Sequence, residues 1–176
     1  MKMTTRLPSN IIIIGMPGSG KTTVGRHLSK LTGKKWIDTD KLLQDRLGCR
    51  IQTFFETHGE AAFRKEEQSV LLYLLTLSNY VISTGGGIVC QPVNCSLLRS
   101  IGKVVFIDVP LDSLWGRLQG DNKRPLLQTE DPLGTLTHLY QSRYALYQHC
   151  AHTVIPITQP SSNKVAQTIL HHLCDS

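Results

Sequence analysis

The chain has 176 residues, 40% of them hydrophobic and 18% charged, which suits one domain with its own core and excludes a disordered segment. Its +6 formal charge, from 19 Lys and Arg against 13 Asp and Glu, is compatible with nucleic acid, an anionic membrane surface or small anionic substrates. Apolar runs such as Ile11–Ile14 are too short to cross a bilayer, residues 1–10 hold no signal-peptide core, and five cysteines without a C-x-x-C pair suit free thiols, so a cytoplasmic protein is expected.

The first predicted strand is Ile11–Ile14. It runs directly into Gly15-Met16-Pro17-Gly18-Ser19-Gly20-Lys21-Thr22, a full match to G-x-x-x-x-G-K-[ST]. A helix is predicted over 21–31, closing at Gly33. Glycines let successive N–H groups point into one concavity, and the helix start adds its positive end. Lys21 then reaches the β- and γ-phosphates and the Thr22 hydroxyl is placed for Mg²⁺. Nucleoside triphosphate binding follows.

The second strand, around 36–37, leads into Asp38-Thr39-Asp40. On an extended chain residues i and i+2 share a face, so both carboxylates can look into one cavity. One could help hold hydrated Mg²⁺ while the other takes a proton from an attacking hydroxyl. D-x-D alone is also common in solvated turns, and Asp108, ending the apolar run 104–107, is a rival acid on the metal side. Apolar residues at helical spacing then predict a helix over 60–77, carrying Phe63, Val70, Leu71, Leu74 and Leu77. Strand 80–82 follows, and after it Ser83-Thr84-Gly85-Gly86-Gly87, where side chains are removed so that a ligand can meet backbone N–H groups.

Strand 104–109 precedes a polar stretch, 119–131, with the basic pair Lys123-Arg124 beside Pro125, read as a mobile loop able to cover phosphates. Helices over 132–147 and 163–173 flank a last strand, 153–157. Alternation of strand and helix predicts an α/β fold: a three-layer α/β/α single domain over 1–176 with a five-stranded parallel sheet of the P-loop kinase type and a lid near 119–131. In such a sheet ligands sit beyond the carboxyl ends of the strands, where these motifs fall. His149, Cys150 and His152 are crowded on one segment without a distant partner pair and read as a polar helix end. The base-reading N-K-x-D of a switch GTPase is incomplete at both Asn122-Lys123-Arg124-Pro125 and Asn163-Lys164-Val165-Ala166, and Asp131-Pro132-Leu133-Gly134 is a D-x-x-G with no strand before it. A compact kinase of a small molecule leads.

Taken together, the P-loop, Asp38-Thr39-Asp40, Gly59-Glu60 with Phe63-Arg64, Thr84-Gly85-Gly86-Gly87, Lys123-Arg124-Pro125-Leu126-Leu127 and Arg143 with Tyr147 closely resemble the shikimate kinases, over residues 11–165. The resemblance implies transfer of the γ-phosphate of ATP to the 3-hydroxyl of shikimate, on the route to chorismate and the aromatic amino acids. It places Gly18, Ser19, Gly20, Lys21, Thr22 and Thr23 on the ATP phosphates, Thr22 on Mg²⁺ and Asp38 on the metal through water. Asp108 becomes a structural acid. Asp40 would hydrogen-bond substrate hydroxyls and act as the base, Arg64 and Arg143 would hold the shikimate carboxylate, and Gly86 would offer its N–H. Arg124 would close over the transferring phosphate, Arg117 would stack on or flank the adenine, and Glu67 would orient Arg64. Where the family shows Pro, Leu, Tyr and acidic residues after Arg143, this chain has Ala145, Leu146, Tyr147, Gln148 and His149, then Ala151 and His152, at positions read as scaffold; the adenine-side loop around Gln159, Pro160 and Ser161 is matched poorly.

Two other readings stand beside it. One is a related kinase of gluconate or a nucleoside monophosphate, against which the triple glycine and the Arg64/Arg143 pair argue. The other is a non-catalytic ATP-sensing or nucleic-acid-binding module, suggested only by the basic charge and unsupported by aromatic–basic interleaving. A monomer without nucleic-acid or membrane partners is expected. Giving five basic and two acidic residues to the site takes up half of the +6 excess.

Overall fold

The computed structural model describes residues 6–121, 128–158 and 161–175. Five parallel strands form one sheet in the order β2-β3-β1-β4-β5: β1 (Ile11–Ile14), β2 (Lys35–Asp38), β3 (Tyr80–Ser83), β4 (Lys103–Asp108) and β5 (Thr153–Pro156). The four isoleucines of β1 are fully buried between β3 and β4, as a central strand covered on both faces requires. Pro156, which cannot donate to a ladder, ends the edge strand β5 opposite Asp108.

The helices are α1 (Lys21–Thr32), α2 (Thr39–Leu47), α3 (Ile51–Leu74), α4 (Pro92–Ile101), α5 (Leu111–Leu118), α6 (Pro132–Cys150) and α7 (Ser162–Cys174), with a short 3₁₀ turn at Ile88–Cys90. The right-handed crossover rule distributes them. From β1 the chain crosses to β2 in one direction, whereas the crossings from β2 to β3, β3 to β4 and β4 to β5 run the other way. Hence α1, packed with α7, covers one face and α3, α4 and α6 cover the other. The reversal falls between the neighbours β1 and β3. A crevice opens there, and the P-loop and the triple glycine both emerge into it.

At the opposite end of the sheet, buried Asn10 ties three segments together. Its Nδ2 donates to the carbonyls of Leu77 (2.8 Å) and Ile101 (3.1 Å), and its Oδ1 accepts from the Tyr80 N–H at 3.0 Å. These bonds align the starts of β1, β3 and β4.

Four predicted helices match α1, α6, α7 and the second part of α3, but α3 ends at Leu74 and its break lies at Gly59 (φ 81°, ψ 175°), with a further helical stretch before it. Helices α2, α4 and α5 were not expected from periodicity. No helix among the described residues is long and apolar enough to cross a membrane.

Candidate active site

Loops leaving β1, β2 and β3 line a cavity of about 950 Å³. Its phosphate side is backbone. Gly18 has a left-handed φ of 80°, and a Cβ there would come within 2.7 Å of Leu118, so both conformation and space demand glycine. Asp38, Asp131 and Ser161 cap α2, α6 and α7 with their side chains, whereas Gly20 brings no side-chain cap to α1 and its first turn carries no acid. The N–H groups and positive end of α1 are thus presented to an anion. Buried Lys21 keeps its ammonium at the loop by donating to the carbonyls of Gly15 and Met16, both at 2.8 Å. Thr22 and Thr23 line the cavity above buried Ser19. Arg117 joins this side from α5, its Nη1 reaching the carbonyls of Gly18 (3.4 Å) and Ser19 (3.3 Å).

The two carboxylates do share the cavity, for a reason other than strand alternation. Asp38 ends β2 and is the N-cap of α2, and Asp40 lies in the first turn of that helix. Asp38 Oδ1 accepts from the N–H groups of Asp40 (2.9 Å) and Lys41 (3.2 Å), which leaves Oδ2 to accept from the Thr22 hydroxyl at 2.9 Å. One carboxylate therefore caps a helix and aligns the P-loop threonine. The paired oxygens of Thr22 and Asp38 are hard ligands of the kind Mg²⁺ takes, together with phosphate oxygens and water. Among the described residues no group of three or more His, Cys, Asp or Glu could hold a metal by itself. A metal carried partly by the nucleotide fits this donor set.

Each residue of the triple glycine has a separate neighbour. A Cβ at Gly85 would run into the Asp40 carboxylate, one at Gly86 would meet Pro17 at 2.7 Å, and one at Gly87 would stand 3.2 Å from Arg64 Nη2 and 3.5 Å from Arg143 Nη2. Backbone at this loop therefore touches the acid, the P-loop and two guanidinium groups in turn. Arg64 and Arg143 thus bring their Nη2 atoms to the same glycine, and planar guanidinium forks are of the kind that suits a carboxylate.

Surrounding groups hold these arginines in place. Arg64 Nη1 donates to Glu67 Oε1 at 2.9 Å and to the Gly87 carbonyl at 3.2 Å, and Nη2 lies 3.5 Å from Glu60. Burial works most strongly against the Arg64 charge, but Glu67, Cys90 and Glu60 together outweigh it and raise the guanidinium pKa. Burial in turn pushes the Glu67 carboxyl above its ordinary value, opposed by Arg64, Asn94 and Arg143. Arg64 Nε is buried without a protein partner among the described residues. On α6, the hydroxyl of fully buried Tyr147 donates to the Gly86 carbonyl. Burial holds that phenol well above its usual pKa against the pull of Arg143.

Asp108 stands apart from the cavity lining. Its Oδ2 accepts from the Tyr144 hydroxyl at 2.8 Å, a bond that raises the Tyr144 pKa to about 12, so it is committed to packing α6 on β4. The D-x-x-G at 131–134 is a helix cap, with Asp131 Oδ1 accepting from the Gly134 N–H at 2.9 Å. Of the crowded segment at the end of α6, Cys150 is buried and the His152 ring accepts from the Val104 N–H at 3.0 Å. Arg124, with Lys123 and the rest of 122–127, lies outside the described residues, as do Gln159 and Pro160.

Sequence reasoning assigned no role to Gln44, Arg50, Ile51 or Phe55, which complete the lining from α2 and the first part of α3. Ile51, Phe54 and Phe55 recur at three- and four-residue steps, and that spacing was the available signal.

The shikimate kinase family model matches residues 17–174 of this chain. A shikimate kinase of Nitrosospira multiformis is 41% identical over 164 residues, covering 93% of this chain and 84% of its own. Among solved structures, shikimate kinase from Acinetobacter baumannii in complex with shikimate superposes with a TM-score of 0.90 at 38% identity, covering 95% of this chain and 93% of its own. Shikimate kinase from Aquifex aeolicus gives 0.80 at 36%, covering 93% and 95%.

Proposed function

Starting from the chain's membership of the shikimate kinase family, we propose how its residues carry the reaction. The chain is an ATP-dependent kinase that phosphorylates a hydroxyl of shikimate. The gathering of Arg64 and Arg143 around Gly87, in one cavity with Asp40 and the P-loop, is the observation that supports a hydroxy-carboxylate acceptor most strongly.

The substrate carboxylate binds Arg64 and Arg143, and the Gly86 N–H and Asp40 fix the ring hydroxyls. Asp40 accepts the proton of the 3-hydroxyl as its oxygen bonds to the γ-phosphorus and the bond from that phosphorus to the β,γ-bridging oxygen breaks, giving shikimate 3-phosphate and ADP. Gly18, Ser19, Gly20, Thr22 and Thr23 cradle the phosphates, and Arg117 flanks the nucleotide. Lys21 exchanges its contacts with the Gly15 and Met16 carbonyls for the β- and γ-phosphates. Arg124, on the segment 119–131, adds charge over the transferring group and helps exclude water. Thr22, and Asp38 through water, would hold Mg²⁺, which would supply neutralisation of the phosphate charge. A single chain can supply every residue invoked.

The test is ADP release measured side by side with shikimate, gluconate and a nucleoside monophosphate. Turnover with shikimate alone is expected. Turnover with gluconate or the mononucleotide and not with shikimate would overturn the acceptor assignment, and no turnover with any would favour a non-catalytic ATP-binding module.

A further inference from the structure

We infer that Asn94 is a positioning residue for the carboxylate clamp: from the first turn of α4 its amide ties the Glu67 carboxylate to the Ile88 carbonyl and so fixes where Arg64 points. The inference rests on the reading of Arg64 as a ligand of the substrate carboxylate.

Asn94 is 1% exposed; its Oδ1 is buried without a hydrogen-bond partner among the described residues, so its donor end is what anchors the amide. Both of its amide hydrogens are used, Nδ2 donating to Glu67 Oε1 at 3.1 Å and to the Ile88 carbonyl at 3.0 Å. Turning the amide over would set its oxygen against two other oxygens, so the orientation is determined. Ile88 follows Gly87, whose carbonyl accepts from the same Arg64 nitrogen that Glu67 holds. A closed circuit results: Arg64 to Glu67, Glu67 to Asn94, Asn94 to Ile88, and back along one peptide step to Gly87 and Arg64. It joins α3, the 3₁₀ turn and α4 around one guanidinium. Removing Arg64 removes a ligand, whereas removing the Asn94 donor leaves the ligand present and frees its holder.

Charge distinguishes this role from packing. The groups bearing on this pair are Arg64 and Glu60 from α3, Cys90 from the 3₁₀ turn and Arg143 from α6. Burial favours neutral Glu67, and the Asn94 N–H is one of the few contacts that favour its ionised form. Without that donor Glu67 protonates at higher pH, and Arg64 loses its anionic partner there.

Asn94→Leu keeps the branched shape of Asn94 and removes its donor, whereas Asn94→Gln keeps an amide donor, so comparing them separates hydrogen bonding from volume. Asn94→Leu is expected to raise the shikimate KM about 10-fold, to leave the ATP KM within about twofold, and to move the acid limb of kcat/KM for shikimate to higher pH. Asn94→Gln should recover part of the loss in both. An unmoved acid limb in Asn94→Leu would overturn the inference, as would parallel rises in the KM of shikimate and ATP. Asn94→Ala makes the same test if Asn94→Leu does not fold. Wild-type turnover of shikimate is the control. Its loss would remove the acceptor reading and this inference with it, whereas normal wild-type turnover with donor-insensitive variants would remove the positioning role alone.

Discussion

The P-loop side of the cavity comes mostly from one run of chain, residues 15–23, joined by Arg117 from α5, and is largely backbone; the side around the triple glycine gathers side chains from α2, α3 and α6 and holds them through buried contacts. A backbone cradle depends on glycines and on where a helix begins, both local properties. A clamp depends on whether distant helices bring Arg64 and Arg143 to the same glycine. The two sides should therefore fail differently when altered.

The largest expected effect lies on the phosphate side. Lys21→Met should lower kcat by about 10²–10³-fold, the usual result of removing one preorganised charge from a phosphoryl-transfer site. Shikimate affinity should stay near wild type, as calorimetry with shikimate alone would show. A comparable loss of shikimate binding would mean that the two sides are not separable. On the clamp side, Arg143→Ala should raise the shikimate KM by about 10²-fold, as for truncating one partner of a buried charged contact, with the ATP KM little changed. Initial-rate kinetics with each substrate varied in turn would check this, and equal losses on both would contradict the assignment.

Two smaller effects test the supports. Tyr144→Phe removes the bond to Asp108 and should cost about 1 kcal/mol of stability while leaving the Mg²⁺ dependence of the rate unchanged. A shifted Mg²⁺ requirement would return Asp108 to the metal side. Glu67 should give the chain a pH-dependent stability. Its folded pKa is raised by burial against Arg64, Asn94 and Arg143, so below the ordinary glutamate range it is protonated folded or unfolded. As pH rises from there through the folded pKa the unfolded chain ionises first, and this contribution to stability is lost. Glu67→Gln should flatten that part of a plot of Tm against pH, and an unaltered slope would contradict the shift.

The same contrast explains what could be read from sequence. All five strands, the P-loop and the helix after it were legible, because apolar β-rich runs and a glycine pattern are local signals. Asp38 and Asp40 were correctly brought to one cavity by the wrong geometry: a capping aspartate at the end of a strand looks like strand alternation until α2 is seen to begin at Thr39. The break at Gly59 hid the first part of α3, and with it the wall formed by Ile51 and Phe55. The triple glycine was legible as a site without side chains, but its three separate neighbours, Asp40, Pro17 and the arginine pair, come from elsewhere in the chain. Asn94 carried no signal, since a polar residue in a short helix gives no hint that it is buried.

Recognition of the substrate carboxylate by Arg64 and Arg143, and not by the P-loop, is the proposal on which the acceptor assignment turns. It is tested most directly by calorimetric titration of shikimate and of its carboxamide into wild type and Arg143→Ala. The amide should bind wild type about 10²-fold more weakly than the acid, and that difference should largely vanish in Arg143→Ala. An equally large difference in both proteins would show that the carboxylate is recognised elsewhere.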